Sequence, residues 1–170
     1  VDFRTFLKDE IYAQIPSSPR MCRGEWWGIF RGGGAIKRRE GNSYLSFSHT
    51  DLSLIKKCLW LKNKLYPHLP HLLLQEEKRG INAGKWYSLD ILWEESFWEE
   101  GGFSDLSVVQ DMLKGKVAGA FLRGLFEVRG YISDPLRHHH LEIGPLSPDL
   151  ASVVLGYLEK KDLPFQLRER

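Results

Sequence analysis

Cysteine is almost missing from this chain: Cys22 and Cys58 are its only two. They have neither the close spacing of a zinc site nor the density of a secreted disulfide scaffold, so a reduced cytoplasmic protein is the simplest account. Long apolar runs are absent as well. No stretch approaches the ~20 residues needed to cross a bilayer, and the N-terminus lacks the basic-then-apolar layout of a signal peptide, so no membrane partner is expected. The chain opens on Val1 and not on Met, as a trimmed sequence does. Charge of one sign is scarce too. The 24 Lys and Arg against 22 Asp and Glu leave +2, which excludes a surface basic enough to grip nucleic acid all over. Any DNA contact has to come from a local patch. The Gly-rich run Arg31-Gly-Gly-Gly34 fits neither the dinucleotide fingerprint nor the P-loop, which needs Lys directly after its last Gly. No cofactor is expected.

What is present is a repeat. Glu25-Trp-Trp-Gly-Ile-Phe-Arg-Gly-Gly-Gly-Ala-Ile36 is matched about a hundred residues later by Phe121-Leu-Arg-Gly-Leu-Phe-Glu-Val-Arg-Gly-Tyr-Ile132. Each reads as a short helix holding an internal Gly, then a Gly stop, then an extended segment. Small residues recur four apart, Gly28 with Gly32 and Ala120 with Gly124, on one helical face of each copy. A Gly inside a helix costs about 1 kcal/mol relative to Ala. Its presence at one place in both copies suggests that close backbone contact repays the loss. The alternative is two unrelated helices that each end at Gly.

The remaining chain supplies elements around these two helices. Phe3 to Ile15 carries apolar residues at helical spacing, with Asp2 as a cap, and Pro-Ser-Ser-Pro-Arg at 16–20 links it to the first motif helix at Met21 to Gly32. That helix, with Trp26, Trp27, Ile29 and Phe30, is apolar on most sides. Core packing explains the cluster better than a ligand pocket does. Ala35–Arg39 and Tyr44–His49 flank a Glu-Gly-Asn-Ser turn and read as a hairpin, with Ala35, Lys37 and Arg39 on one face and Ile36 and Arg38 on the other. Thr50 is expected to cap a helix whose stripe is Leu54, Cys58, Leu61 and Leu65. A second hairpin is expected over Leu72–Glu76 and Lys85–Leu92. After an acidic, aromatic bridge, Ser104 to Lys114 reads as a helix. In the second half Tyr131–Ser133 and His138–Gly144 read as a hairpin, Pro148 opens a helix to about Lys161, and Phe165–Arg168 reads as a further strand.

The two motifs resemble the LAGLIDADG signature of homing endonucleases. Leu122-Arg-Gly-Leu-Phe-Glu-Val-Arg-Gly-Tyr-Ile-Ser-Asp-Pro135, followed by His140-Leu-Glu-Ile143, resembles the second signature of the WhiA family of bacterial DNA-binding regulators. Arg20-Met-Cys-Arg23 and the helix before it are similar to the start of that family. The resemblance implies an α+β fold of two pseudo-symmetric halves of αββαββα type, with antiparallel saddle-shaped sheets around two central motif helices. Its divisions here are an N-terminal helix and linker (1–19), a first half (20–92), a bridge (93–115) and a second half (116–170). The second half stops a strand short of the plan, through an imposed boundary or natural shortening. The family's C-terminal helix-turn-helix domain lies outside these residues.

The same resemblance carries the functional expectations. LAGLIDADG nucleases place a carboxylate just before the final Gly of each motif, where the pair holds divalent metal beside the phosphates. Here those positions are Gly33 and Arg129: one offers no ligand, and the other is a permanent cation that repels a metal. Glu127 lies two positions earlier, on another side of the helix, and its copy is Arg31. No enzyme is therefore expected. The expected role is a non-catalytic DNA-binding domain of a transcriptional regulator at the nucleoid, connected with sporulation or cell division. Duplex DNA would meet Lys37, Arg38, Arg39, Arg129, His138 and His140, while Gly28, Gly32, Ala120 and Gly124 form the helix interface. The three charges of the first hairpin are equally readable as an ordinary solvated face. His138 and His140 would share a strand face, but no further ligand sits at a metal-binding spacing. The alternatives are a protein-interaction scaffold, with transcription or cell-division proteins as partners, and an active endonuclease. A monomer with an internal pseudo-two-fold is expected.

Overall fold

A computed structural model describes residues 2–169. Helix α1 (Phe3–Ala13) starts where Asp2 accepts a 2.8 Å bond from the Thr5 amide and ends before Pro16. The first motif helix, α2 (Pro19–Gly33), is capped by Ser18, with Pro19 in the first turn where its missing N–H costs nothing. It runs straight into β1 (Gly34–Arg39), which turns at Glu40 and Gly41 into β2 (Asn42–His49). Both turn residues have positive φ, at 50° and 83°, as a tight two-residue hairpin turn requires.

Helix α3 (Leu52–Leu65) follows. Its cap is Asp51, whose carboxylate accepts from the Ser53 amide, and not Thr50 as the sequence suggests. Strands β3 (His71–Lys78) and β4 (Gly84–Leu92) then complete a four-stranded antiparallel sheet in the order β1-β2-β4-β3. Its register aligns Ile36 with Leu45 and Ile91, and Gly34 with Phe47 and Leu89. Leu45, Phe47, Leu89 and Ile91 are all buried, so this face covers the core. Phe47 meets Phe30, and Phe30 lies 4.3 Å from the Trp26 ring.

The bridge holds two short helices, α4 (Ser96–Glu100) and α5 (Ser107–Met112), where one continuous helix from Ser104 is expected. Residues 104–106 stay outside α5, with the Asp105 carboxylate accepting a 2.9 Å bond from the Ser107 amide. The bridge packs on the body: Phe97 and Phe103 both stand edge-on to Trp27, and Glu100 accepts a 2.6 Å bond from the Tyr66 hydroxyl.

The second motif helix, α6 (Gly115–Arg129), runs into β5 (Gly130–Ile132), which pairs with β6 (Leu141–Ile143). Helix α7 (Pro148–Lys160) is capped by Ser147 and buries Leu150, Val154 and Leu158. Two expectations fail here. The strand starts at Leu141, because residues 134–138 close a turn through the Arg137 and His138 amides onto Asp134. Phe165–Arg168 forms no strand: Pro164 offers no amide, and Phe165 bonds back to Leu163 instead of to a neighbouring strand.

Candidate nucleic-acid interface

The two motif helices cross at their glycines. A Cβ placed on Gly28 would fall inside the Phe121 carbonyl oxygen, 3.0 Å from its carbon and 3.1 Å from the Gly124 Cα. One on Gly124 would meet the Glu25 carbonyl oxygen and stand 2.9 Å from the Ile29 nitrogen. Gly24 extends the contact, with Val117 Cγ1 at 2.8 Å and the Ala120 Cβ at 3.6 Å. Gly32 sits at the far end beside Leu125 and Arg129.

This crossing sets the ends of α2 and α6 side by side. Gly33 is the last residue of one helix and Arg129 the last of the other. The Arg129 Nε donates a 2.7 Å bond to the Gly32 carbonyl, so its guanidinium rests where the helix dipole is negative and the last carbonyls lack partners. A Cβ on Gly33 would collide with Val128 Cγ1. A side chain there would have to displace the Val128 methyl, so packing disfavours one at this position. Arg31 is held likewise, donating 2.7 Å to the Gly101 carbonyl with its guanidinium 4.8 Å above the Phe103 ring. Among the described residues no three His, Cys, Asp or Glu side chains are grouped to hold a metal ion.

The sheet face away from the core carries Ala35, Lys37, Arg39, Tyr44, Ser46 and Asp90, which alternate with the buried set. Asp90 is wholly buried on this face, bonded at 2.5 Å by the Ser46 hydroxyl and at 2.8 Å by Arg39 Nε. Arg39 is thus already partnered. Arg38 is on the opposite face from Lys37 and Arg39, in line with Ile36, so the three basic residues form no single patch. His138 and His140 are exposed and precede β6 instead of sharing a strand face; His140 Nε2 lies 3.1 Å from Glu142 Oε2.

One cluster escapes the motif reading altogether. Glu25 of α2 and Glu127 of α6 are both buried and share Lys57 of α3, whose Nζ lies 3.1 Å from Glu25 Oε2 and 3.3 Å from Glu127 Oε2. Arg123 Nε bonds the other Glu25 oxygen, and Lys57 also donates to the Ile11 carbonyl. Burial and the nearby Glu25 carboxylate push Glu127 up to about 8, against the pull of Lys57. Both acids therefore lie inside the protein beside Lys57 and are unavailable to a metal ion at the helix ends. The single acid of each motif helix, and a Lys beside the buried Cys58, were the available signals.

Comparison with known proteins agrees with this geometry. The sequence matches the WhiA LAGLIDADG-like domain family over residues 22–78 and 118–170. Among solved structures, the N-terminal LAGLIDADG domain of DUF199/WhiA superposes with a TM-score of 0.67 at 22% identity, covering 98% of this chain and 80% of that one. The homing endonuclease I-WcaI, bound to its DNA recognition sequence, gives 0.59 at 13% identity, covering 95% and 76%. No curated protein matches the sequence. Two motif helices that meet through glycine, feed directly into strands and end in Gly33 and Arg129 make this chain a member of the WhiA LAGLIDADG-like domain family.

Proposed function

We propose that this chain is a non-catalytic DNA-binding domain of a WhiA-type transcriptional regulator, built on a nuclease scaffold that has lost its metal chemistry. The observation that carries the reading is the meeting of the helix ends. Where two acids would hold cations, Arg129 itself supplies the positive charge against the Gly32 carbonyl, and Val128 fills the space beside Gly33. Phosphate contact would fall to Lys37 and Arg38, reaching out from the two faces of the edge strand β1, with Arg39 neutralised by Asp90. The DNA-bound state of the similar endonuclease supports duplex DNA as the ligand class.

The test is binding of mixed duplex DNA across a salt series, with and without magnesium, with the products run on a gel. About two phosphate contacts should weaken binding about 12-fold between 50 and 200 mM salt. The DNA should stay intact with magnesium, and K37A/R38A should flatten the slope. Cleavage would overturn the reading of Gly33 and Arg129. A second reading, a scaffold for other regulatory or cell-division proteins, is favoured by the Asp90–Arg39 pair, which removes positive charge from the outward face. Absence of binding at low salt would select it.

A further inference from the structure

The hairpin of β3 and β4 ends in an apex that packs on nothing. The two strands stay paired out to Lys78 and Gly84. The turn between them closes with the Ala83 amide on the Gly80 carbonyl at 3.1 Å, and Gly80 and Gly84 hold φ at 89° and 127°. Trp86 braces it: its Nε1 donates a 2.9 Å bond to the Asn82 carbonyl, and the Lys78 Nζ stands 4.3 Å from its ring centroid. Ile81, the second residue of this braced turn, is wholly exposed, more so than any other large apolar side chain among the described residues. Turn centres are ordinarily filled by Pro, Asn, Asp, Gly or Ser. An Ile there serves neither the turn nor the core.

The charge around it has one sign. Lys78, Arg79 and Lys85 are the only charged residues between Lys78 and Leu89, and none is in an ion pair among the described residues. Glu76 and Glu77 stand further back on β3, with Glu77 opposite Lys85. The position of the apex matters too. Lys37 is level, through Tyr44, with Leu92 at the far end of β4. The nine residues of β4 span about 27 Å, and two strand spacings set it about 10 Å from β1. The apex therefore lies roughly 30 Å from Lys37, close to the ~34 Å of one duplex turn.

We propose that this apex is a minor-groove wedge: Ile81 enters between base pairs of duplex DNA about one turn from the β1 contacts, Arg79 meets the adjoining phosphate, and the duplex is kinked there. The minor groove is about 6 Å wide, which admits a hairpin apex led by one aliphatic side chain. Aliphatic wedges in that groove unstack base steps and bend the DNA by roughly 20–90°. A lipid surface fits less well, because one Ile is too little apolar area for an anchor. The inference rests on the DNA-binding reading and adds to it a contact and a deformation that β1 does not supply.

The test uses the whole chain and a mixed duplex of about 20 base pairs with a donor and an acceptor dye at its two ends. Binding of the native protein should raise energy transfer. Ile81→Ser should bind with the same salt slope and leave the duplex straight, at an unchanged melting temperature because Ile81 is wholly exposed. Arg79, a contact beyond the two of β1, should raise the loss of affinity between 50 and 200 mM salt from about 12-fold to about 40-fold, and Arg79→Ala should restore the smaller value. Binding that leaves the duplex straight, or a bend that Ile81→Ser retains, overturns the wedge while the DNA-binding reading stands. No binding at low salt overturns both. A straight duplex together with Ile81-dependent binding to phosphatidylglycerol vesicles would assign the apex to lipid instead.

Discussion

Gly28→Ala is the most direct probe of the helix crossing. The added methyl would be driven into the Phe121 carbonyl, and neither this backbone group nor the Gly124 Cα at 3.1 Å can rotate aside. The helices must separate, loosening Gly24 against Val117 and Gly32 against Leu125 along the same seam. Overpacking of this kind costs about 1–3 kcal/mol, and a backbone obstacle places this site at the upper end. It outweighs the helical preference of Ala, worth about 1 kcal/mol. With a melting temperature that moves about 2–4 °C per kcal/mol in a domain of this size, a fall of roughly 4–8 °C is expected in a circular-dichroism melt. Gly119→Ala is the internal control: it lies on the same helix as Gly124, but nothing stands within 4 Å of its Cβ position. That variant should gain a few degrees. If the two variants melt alike, the close approach of α2 and α6 is not what the glycines are for.

The buried acid makes stability depend on pH. Glu127 holds its proton to about 8 when folded but only to about 4.5 when unfolded, so its contribution falls as pH rises through that window, by up to about 1.4 kcal/mol per pH unit. His49 and His71, pushed down chiefly by burial, slope the other way below their ordinary 6.5. Urea midpoints compared between pH 6.5 and 8 should therefore drop in the native protein and stay level in Glu127→Gln; parallel drops would refute the assignment. Asp90→Asn should release Arg39 and steepen the DNA salt slope by about one phosphate contact, at a stability cost of about 1–3 kcal/mol for the altered buried bonds; an unchanged slope would mean Arg39 is not at the interface. Gly33→Asp, which restores one acid, should lower the melting temperature through Val128 and still leave plasmid DNA uncut with magnesium. Nicking by that variant would show that the nuclease lacks only its ligand.

The glycine spacing was legible because contact between backbones leaves a mark in residue identity: nothing but Gly fits at 28 and 124. The Glu40–Gly41 turn was legible for a similar reason, since it asks for positive φ. Side-chain partners distant in sequence left no such mark. Arg39 and Asp90 are 51 residues apart, and only the β2–β4 register brings them onto neighbouring positions. Glu25, Lys57 and Glu127 come from three helices; each lies on the buried side of its own helix, but nothing within one helix names its partners on the other two. The expected strand at Phe165–Arg168 failed because alternation describes a capacity for pairing, and here no neighbour supplies the ladder. The facing of the hairpin charges was legible from alternation alone, with Lys37 and Arg39 on one side of the strand and Arg38 on the other.

The aromatic bridge also bears on how the molecule can move and unfold. Trp27 lies wholly buried on a motif helix, yet its ring neighbours Phe97 and Phe103 belong to the segment that joins the halves. Arg31 is tied to Gly101 of the same segment. A connector that walls the core of one half cannot serve as a hinge, and cutting it would expose the ring cluster it covers. Loss of the first half's packing and release of the second half should thus be a single cooperative event, which the fluorescence of Trp27 would report as one transition.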